Sequence, residues 1–413
     1  MNTTKIPFSR TVCDGRELEL VKEVLSSGWL TTGPMARRFE SEFAEAVGAP
    51  FACAVNSCTA ALHLALEAIG IGPGDQVLVP TYTFTASAEA VRYLGGEPIL
   101  LDVEESTGLL TPEIVGQAIL EHPSAKAVVV VHFGGQPAEM VRRRGLGILD
   151  LCRAHGIRVI EDAAHAFPTR LLGQPIGSFG DATCFSFYAN KTITTGEGGM
   201  LTTADEGIYR RACLMRLHGI DRDTWNRFSA VGAQWEYDVL APGFKYNMPD
   251  LCAAIGIAQL ERAGELRDRR QECAEHYFRE LEGVAELKLP AFRCLPEEHA
   301  WHLFPVVLNF GVEAARHQVI QHLNGCGIGT SVHYKPLHRM TYYRDRYQLT
   351  PAAFPNAERI WSGCISLPLH AWLSNDELFR ITSTLQDAVA QVRSNPLIAV
   401  PVRAEALSVS RQG

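Results

Sequence analysis

The 413-residue chain has no CxxC pair among its 11 cysteines, no run of like charge longer than the arginines Arg142–Arg144, and no apolar stretch approaching a membrane span. Each absence removes a class of function. An odd set of cysteines scattered from Cys13 to Cys364 makes neither a disulfide framework nor a zinc knuckle, so reduced, half-buried thiols and no metal centre are expected. A net charge of −8 without a basic block argues against a nucleic-acid surface. A spanning helix needs about 18 uninterrupted apolar residues, and a leader needs an apolar h-region that MNTTKIPFSRTVCDG lacks, so no membrane contact and a cytoplasmic location are the expectation. Repeats and low-complexity segments are also missing.

What is present is globular: 46% hydrophobic and 20% charged residues, enough chain for two domains and a sizeable core. ELELVKEVLSSG reads as a helix with Leu18, Val21, Val24 and Leu25 at helical spacing and Gly28 ending the pattern. The turn GWLTTGPM and a second amphipathic helix, ARRFESEFAEAVG, follow. The turn suits a substrate loop or a plain helix connection. Next, strand-like runs alternate with helices: FACAVNS, DQVLVP, EPILLDV, KAVVVVHF and IRVIEDAA. Continuous apolar strands separated by helices predict a three-layer α/β fold with a mostly parallel sheet covered on both faces. The short run GMLTT and a helix from about Asp205 close this part. Residues between Ile220 and Leu240 read as a long ordered loop.

A long helical run begins after APGFKYNMPD. Its Ala253 to Gly256 face suits close packing, and its polar second half suits a connector. Beyond Gly283 the texture is that of a smaller α+β unit, with HLFPVVLNF and GTSVHYKPLH as strands and DELFRITSTLQDAVAQV as a last helix. The expected organisation is a large domain over 1–255, a small C-terminal domain over 256–394 and a loosely held tail over 395–413.

Ligands of parallel sheets bind at the carboxyl ends of the strands, which selects the polar residues there. Asn56, Ser57, Cys58, Thr59 and Ala60 form a strand-to-helix turn whose free N–H groups can cradle a phosphate. This turn lacks the glycine fingerprint of dinucleotide binders and the GK[ST] of P-loops. Phe84, in PTYTFTAS, either stacks on a flat ring or belongs to the core. Asp162 ends RVIED; it either holds a ring nitrogen protonated or caps a helix. His165 stands nearby. Lys191 follows the apolar run CFSFYAN and leads into a glycine turn, a costly place for a charge that has no task. An amine there, flanked by Ser186, by Thr192, Thr194 and Thr195, and by Gly196, Gly198 and Gly199, matches the Schiff-base lysine of a pyridoxal phosphate enzyme.

The motifs GWLTTGP, NSCTAALHLAL, PTYTFTASAEAV, VHFGGQP, IEDAAHA, IGSFGDATCFSFYANK, TTGEGGM, RLHGI, PGFKYNMPDLCAAIGIAQL, VHYKPLH and SLPLH occur in order from Ile6 to about Val392. As a set they resemble the DegT/DnrJ/StrS family of sugar aminotransferases, pyridoxal 5'-phosphate enzymes of the aspartate aminotransferase fold, fold type I. The resemblance implies that Lys191 bonds the cofactor aldehyde and shuttles protons, and that Asp162 pairs with the pyridine nitrogen. It implies further that Phe84 stacks on the ring, that His165 sits near its hydroxyl, and that Cys58, Thr59 and Ser186 hold the phosphate. A homodimer with shared sites is implied, the partner's GFKYNM segment bringing Lys245 or Asn247 to the phosphate. Trp29, Thr31, Thr32, His333 and Tyr334 match positions that face the sugar nucleotide.

The chain departs from that family at Cys58, where glycine is usual, at Lys245, where asparagine is frequent, and at Gly135, Phe167 and Pro168. The implied reaction moves an amino group from glutamate, leaving 2-oxoglutarate, to a nucleotide-linked keto sugar. The KYNM and CFSFYANK forms resemble members that aminate UDP-linked 4-keto sugars, with 3-keto sugars and cyclitol ketones open. Sugar dehydratases of the family carry histidine in place of Lys191, and a non-catalytic protein on the same fold is the other alternative.

Overall fold

Side chains along the central strands are buried almost without a break, and alternate ones pack into two separate apolar clusters. Leu78, Val128, Val130, Val159, Phe185 and Met200 point to one face. Val77, Val79, Ala127, Val129, Ile160, Cys184 and Leu201 point to the other. A sheet buried on both faces needs apolar residues at every position, which is why these strands read as unbroken hydrophobic runs. The structure, a computed structural model, describes residues 5–221 and 237–394.

The strands are β1 (Phe51–Val55), β2 (Gln76–Pro80), β3 (Glu97–Leu101), β4 (Ala125–Val131), β5 (Arg158–Asp162), the short hairpin β6 (Arg170–Leu171) and β7 (Gln174–Pro175), β8 (Ala182–Ser186) and β9 (Gly199–Thr203). Seven of them form one sheet in the order β1-β9-β8-β5-β4-β2-β3. Strand β9 runs antiparallel to both neighbours, and the other pairings are parallel. GMLTT is therefore the one reversed strand, zipped between β1 and β8.

Helices α1 (Arg16–Ser27), α2 (Pro34–Val47), α5 (Pro112–Glu121) and α6 (Ile148–Ala154) cover one face, and α3 (Cys58–Ala68), α4 (Ala86–Tyr93) and α7 (Glu206–Met215) cover the other. This is the expected three-layer α/β fold. The buried stripe of α1 differs from the expected one: Leu20 and Val24 face the core, while Leu18 and Leu25 are 72% and 58% exposed. Leu18 and Leu25 lie seven residues apart on one stripe of the helix, but helix Asp250–Glu261 packs under the neighbouring stripe. Gly28 ends the helix in the left-handed region at φ 72°, where a glycine carries no Cβ penalty.

A second sheet, β10 (Leu287–Lys288), β11 (Phe304–Leu308) and β12 (Cys364–Leu367), is antiparallel and has its own apolar cluster with helices Ala263–Leu281, Glu313–Gly325 and Asn375–Arg393. Ile6 joins that cluster from the other end of the chain. GTSVHYKPLH, expected as a strand, is instead extended chain pinned by a single bridge, Ser331 to Ser366. The expected division at 255/256 falls inside helix Asp250–Glu261, whose Ala253, Ala254, Ile257 and Ala258 pack against the large sheet's helices. A Cβ on Gly256 would stand 2.7 Å from the Phe39 ring, the close packing expected of this face. Most of the loop expected between Ile220 and Leu240, residues 222–236, and the tail 395–413 lie outside the described residues; the ends of the loop meet where Ile220 pairs with Val239.

Candidate active site

The carboxyl ends of β2, β4, β5 and β8 and the start of α3 surround a cavity of about 350 Å³. Its lining includes Cys58, Thr59, Phe84, Asp162, His165, Ser186, Lys191, His333 and Tyr334, so nine of the residues singled out from the sequence share one space. Lys191 lies in the turn after β8, its backbone N–H donating to the Tyr188 carbonyl at 3.0 Å. Removal from water pulls its amine down to about 8, against the opposing pull of Cys58 and Asp162, while the charge of Arg270 pushes in the same direction as burial.

Asp162, 5% exposed, accepts from Ser87 Oγ at 2.7 Å and from the Ala164 N–H at 3.1 Å. No helix begins there, so it caps a turn rather than a helix. Burial raises its pKa, while the hydrogen bonds and then the charges of Lys191 and His132 oppose the rise. No cation among the described residues lies in salt-bridge contact with it, which leaves a buried carboxylate with room for a cationic partner.

At the other end, Ser57 caps α3 by accepting the Ala60 N–H at 3.1 Å. The N–H groups of Cys58 and Thr59 belong to the first turn and have no intrahelical acceptor. The Cys58 thiol is turned away, toward the Cys184 carbonyl at 3.4 Å, so only its backbone is offered to a ligand. Because Cys58 has no positive φ, a side chain costs nothing in a place where glycine is usual. Gly199 does have to be glycine: a Cβ there would stand 2.5 Å from the Ser57 carbonyl carbon.

The hydroxyls and the imidazole around the lysine have partners within the protein. Thr194 Oγ1 donates to the Phe187 carbonyl and Thr195 Oγ1 to the Glu197 carbonyl, so these two hydroxyls brace the lysine turn. Ser186 Oγ accepts the Tyr188 N–H at 3.3 Å and remains at the cavity wall. His165 is bonded on both sides. Its Nδ1 accepts the Gly134 N–H at 3.3 Å, which places the proton on Nε2, 2.9 Å from the Tyr334 hydroxyl. Burial, then Lys191 and His333, hold the imidazole well below its usual pKa and hence neutral. Tyr334 therefore accepts from His165, and its own proton is left for a group in the cavity. Phe84, 56% exposed, stands at the rim with its ring 6.0 Å from that of Tyr334. His333 bonds Ser366 Oγ through Nδ1 at 2.8 Å, and burial holds its pKa at about 4.

Trp29, Thr31, Thr32, Lys245 and Asn247 lie elsewhere. Asn247 Nδ2 donates to Thr32 Oγ1 at 2.6 Å, Lys245 Nζ to Asn247 Oδ1 at 2.6 Å, and Trp29 Nε1 to the Thr32 carbonyl at 3.2 Å. None of these five lines the lysine cavity; Thr32 and Asn247 line a separate one.

Several site residues escaped the sequence reading. Ser87 sits in the first turn of α4, in an alanine-rich run, with no local sign that it reaches Asp162. Glu161, fully buried, accepts from His132 Nε2 at 2.8 Å, Thr183 Oγ1 at 2.7 Å and the Gly180 N–H at 2.7 Å, holding the strand end beneath the cavity. Asn190 brings a buried, unpartnered Oδ1 to the wall. Its place beside Lys191 was the available signal.

The spore coat polysaccharide biosynthesis protein SpsC of Bacillus subtilis is 42% identical over 93% of this chain and 97% of its own. A putative sugar aminotransferase of Streptococcus pneumoniae, solved in pyridoxal phosphate and pyridoxamine phosphate forms, superposes with a TM-score of 0.84 at 30% identity; its pyridoxal phosphate form covers 94% of this chain and 99% of that one. Helicobacter pylori PseC, an aminotransferase of pseudoaminic acid biosynthesis, superposes with a TM-score of 0.85 at 26% identity over 94% of this chain and 100% of that one. The fold is that of fold type I pyridoxal phosphate enzymes. The cavity suits that cofactor: a depressed lysine amine for the aldehyde, a buried unpaired carboxylate for a protonated ring nitrogen, and free helix N–H groups for a phosphate. With the profile of the DegT/DnrJ/EryC1/StrS aminotransferases matching residues 12–386, the chain belongs to that family of pyridoxal 5'-phosphate enzymes.

Proposed function

We propose that this transaminase moves an amino group from glutamate to the carbonyl carbon of a nucleotide-linked keto sugar, a UDP-linked 4-keto sugar in the first instance. The observation that carries the reading is the depressed amine of Lys191 in one cavity with the buried carboxylate of Asp162 and the open N–H groups of Cys58 and Thr59. Bound pyridoxal 5'-phosphate supplies the electron sink for charge released at the carbon that loses or gains the amino group.

The protein's part is positional and protic. Lys191 Nζ would hold the aldehyde in the resting enzyme and, once released, would serve as the base for the donor's α-carbon proton, acting in the reverse sense in the second half. Asp162 would keep a proton on the ring nitrogen, and Ser87 Oγ fixes that carboxylate by donating to it at 2.7 Å. Cys58 and Thr59, through their N–H groups, and Ser186, through its hydroxyl, bind the phosphate. Phe84, at the rim of the cavity, would cover the ring. His165 orients Tyr334, whose proton serves the ring hydroxyl or the substrate, and His333 lies beside it toward the sugar. Amino group and carbonyl oxygen are exchanged, so glutamate leaves as 2-oxoglutarate and the keto sugar as an amino sugar.

Trp29, Thr31, Thr32, Lys245 and Asn247 act in the partner's site of a homodimer; their separation from Lys191 within one chain supports that assignment. The presence of lysine rather than histidine at 191 favours transamination over dehydration. The likeness to a polysaccharide biosynthesis protein and to sugar aminotransferases supports a sugar acceptor. A cytoplasmic enzyme fits nucleotide-linked substrates, and no described helix is long and apolar enough to cross a membrane.

Incubation with glutamate and a panel of nucleotide-linked 4-keto and 3-keto sugars, following 2-oxoglutarate release, tests the reading. Turnover with a UDP-linked 4-keto sugar, lost in Lys191→Ala, is expected. Normal transamination by Lys191→Ala, or activity confined to free sugars or cyclitols, sinks it.

A further inference from the structure

The turn that carries Lys191 is tied down at both ends. The Lys191 N–H donates to the Tyr188 carbonyl at 3.0 Å, and Thr11 Oγ1 donates to the Ala189 carbonyl at 2.8 Å. The Thr11 carbonyl in turn accepts the indole N–H of Trp372 at 3.0 Å, so the N-terminal segment straps the turn to the chain beyond β12. Asn190 stands between these anchors, half-buried. Its Oδ1 is fully buried, at the wall of the lysine cavity, and accepts no hydrogen bond among the described residues.

The other buried polar groups of the cavity are paired within the protein. Asp162, His165, His333 and Ser186 each bond a protein group. Among the described residues that line the cavity, Asn190 alone has a buried side-chain polar atom without a partner. A buried acceptor left unpaired is costly, and the pinned turn keeps this one from swinging to a donor elsewhere in the chain. A ligand that brings a hydrogen-bond donor completes it.

We propose that Asn190 is a specificity-determining residue whose Oδ1 accepts the hydroxyl on the carbon next to the carbonyl of the keto sugar. The assignment rests on the transaminase reading of this cavity. Asn190 and Lys191 line the same space, and Lys191 Nζ has to reach the carbon that gains or loses the amino group, so a donor at Oδ1 belongs to the part of the substrate nearest that carbon. Chemistry then selects between the two substrates. Apart from the amino group it surrenders, glutamate brings only ionised carboxylates, which accept and do not donate. An α-hydroxy ketone brings a donor beside an acceptor, matching Asn190 Oδ1 and the proton of Tyr334 in one cavity. A site built to pair a hydroxyl penalises the analogue lacking it, because the buried acceptor is left without its donor.

The two half-reactions are followed separately by absorbance on the cofactor-loaded enzyme, glutamate with the aldehyde form and the keto sugar with the amine form. The sugars are a UDP-linked 4-keto sugar and its analogue with hydrogen in place of the neighbouring hydroxyl. Asn190→Ala is expected to lower the rate constant over KM for the hydroxylated sugar about tenfold more than for glutamate. With the unsubstituted enzyme the analogue should react about tenfold more slowly than the hydroxylated sugar, a gap that closes in Asn190→Ala. Calorimetric Kd values on the aldehyde form, which exchanges no amino group with a ketone, should show the same gap and the same closure. Equal losses in both half-reactions would make Asn190 a support of Lys191 and overturn the proposal, as would an unsubstituted enzyme that treats the two sugars alike. Either result leaves the transaminase reading standing. An unsubstituted enzyme that aminates no keto sugar removes the acceptor class and this inference with it.

Discussion

A lysine amine carried from water into the space between Cys58 and Asp162 loses hydration faster than the neighbouring charges compensate, and its pKa drops to about 8 from 10.5. The sign sets a pH dependence. The amine is a cation below that value and a free nucleophile above it. The rate at which cofactor-free enzyme takes up pyridoxal phosphate, read by absorbance, is expected to rise with pH around a midpoint of about 8. A midpoint near the ordinary lysine value of 10.5 would show that the amine is solvated in solution. Asp162→Asn keeps the shape and the Ser87 contact but removes the charge. Turnover is expected to fall by about 10²–10³-fold with cofactor still bound. A variant that keeps wild-type kcat would place the ring nitrogen's partner elsewhere. Both residues were legible in the chain because an acid and an amine at apolar strand ends are out of place as core. Ser87 was not, since the carboxylate it bonds is 75 positions away at Asp162.

Elements, more than single residues, position the turn GWLTTGP. The chain enters α2 through Gly33, and the N-terminal N–H groups of that helix are met by Asp250 from another helix. Asp250 accepts from Gly33 at 2.7 Å, Met35 at 3.2 Å and Ala36 at 3.0 Å. Such a cap in trans is invisible to local patterning, which looks for a serine, threonine or aspartate at the helix start itself. Asp250→Ala is expected to cost about 2 kcal/mol in denaturant unfolding, at the upper end for a lost cap, and a loss within measurement error would mean that water replaces the carboxylate. The same limitation explains α1. Its periodicity is real, but which stripe is buried depended on where helix Asp250–Glu261 packs, so Leu18 and Leu25 ended outside.

At the scale of the molecule, the candidate site divides. Lys191 and its companions gather at the strand ends, whereas Lys245, Asn247 and Thr32 bond one another beyond that cavity. If those groups serve a partner's site, inactive Lys191→Ala chains mixed with chains inactivated by joint Lys245→Ala and Asn247→Ala substitution should regain activity on subunit exchange. One intact site in half of the dimers amounts to about a quarter of wild-type activity. No recovery after exchange verified by mass spectrometry would confine each site to one chain.

The order of apolar strands and helices, the buried-on-both-faces sheet and the strand-end acid and amine were determined by the sequence itself, because burial demands apolar residues at fixed periods and a charge among them stands out. The tertiary structure alone decided that β9 runs backwards between β1 and β8, that the segment around His333 and Tyr334 carries the phenol to His165, and that Ser87 meets Asp162. Those outcomes depend on contacts between residues far apart in the chain, whose formation no local pattern of side chains encodes.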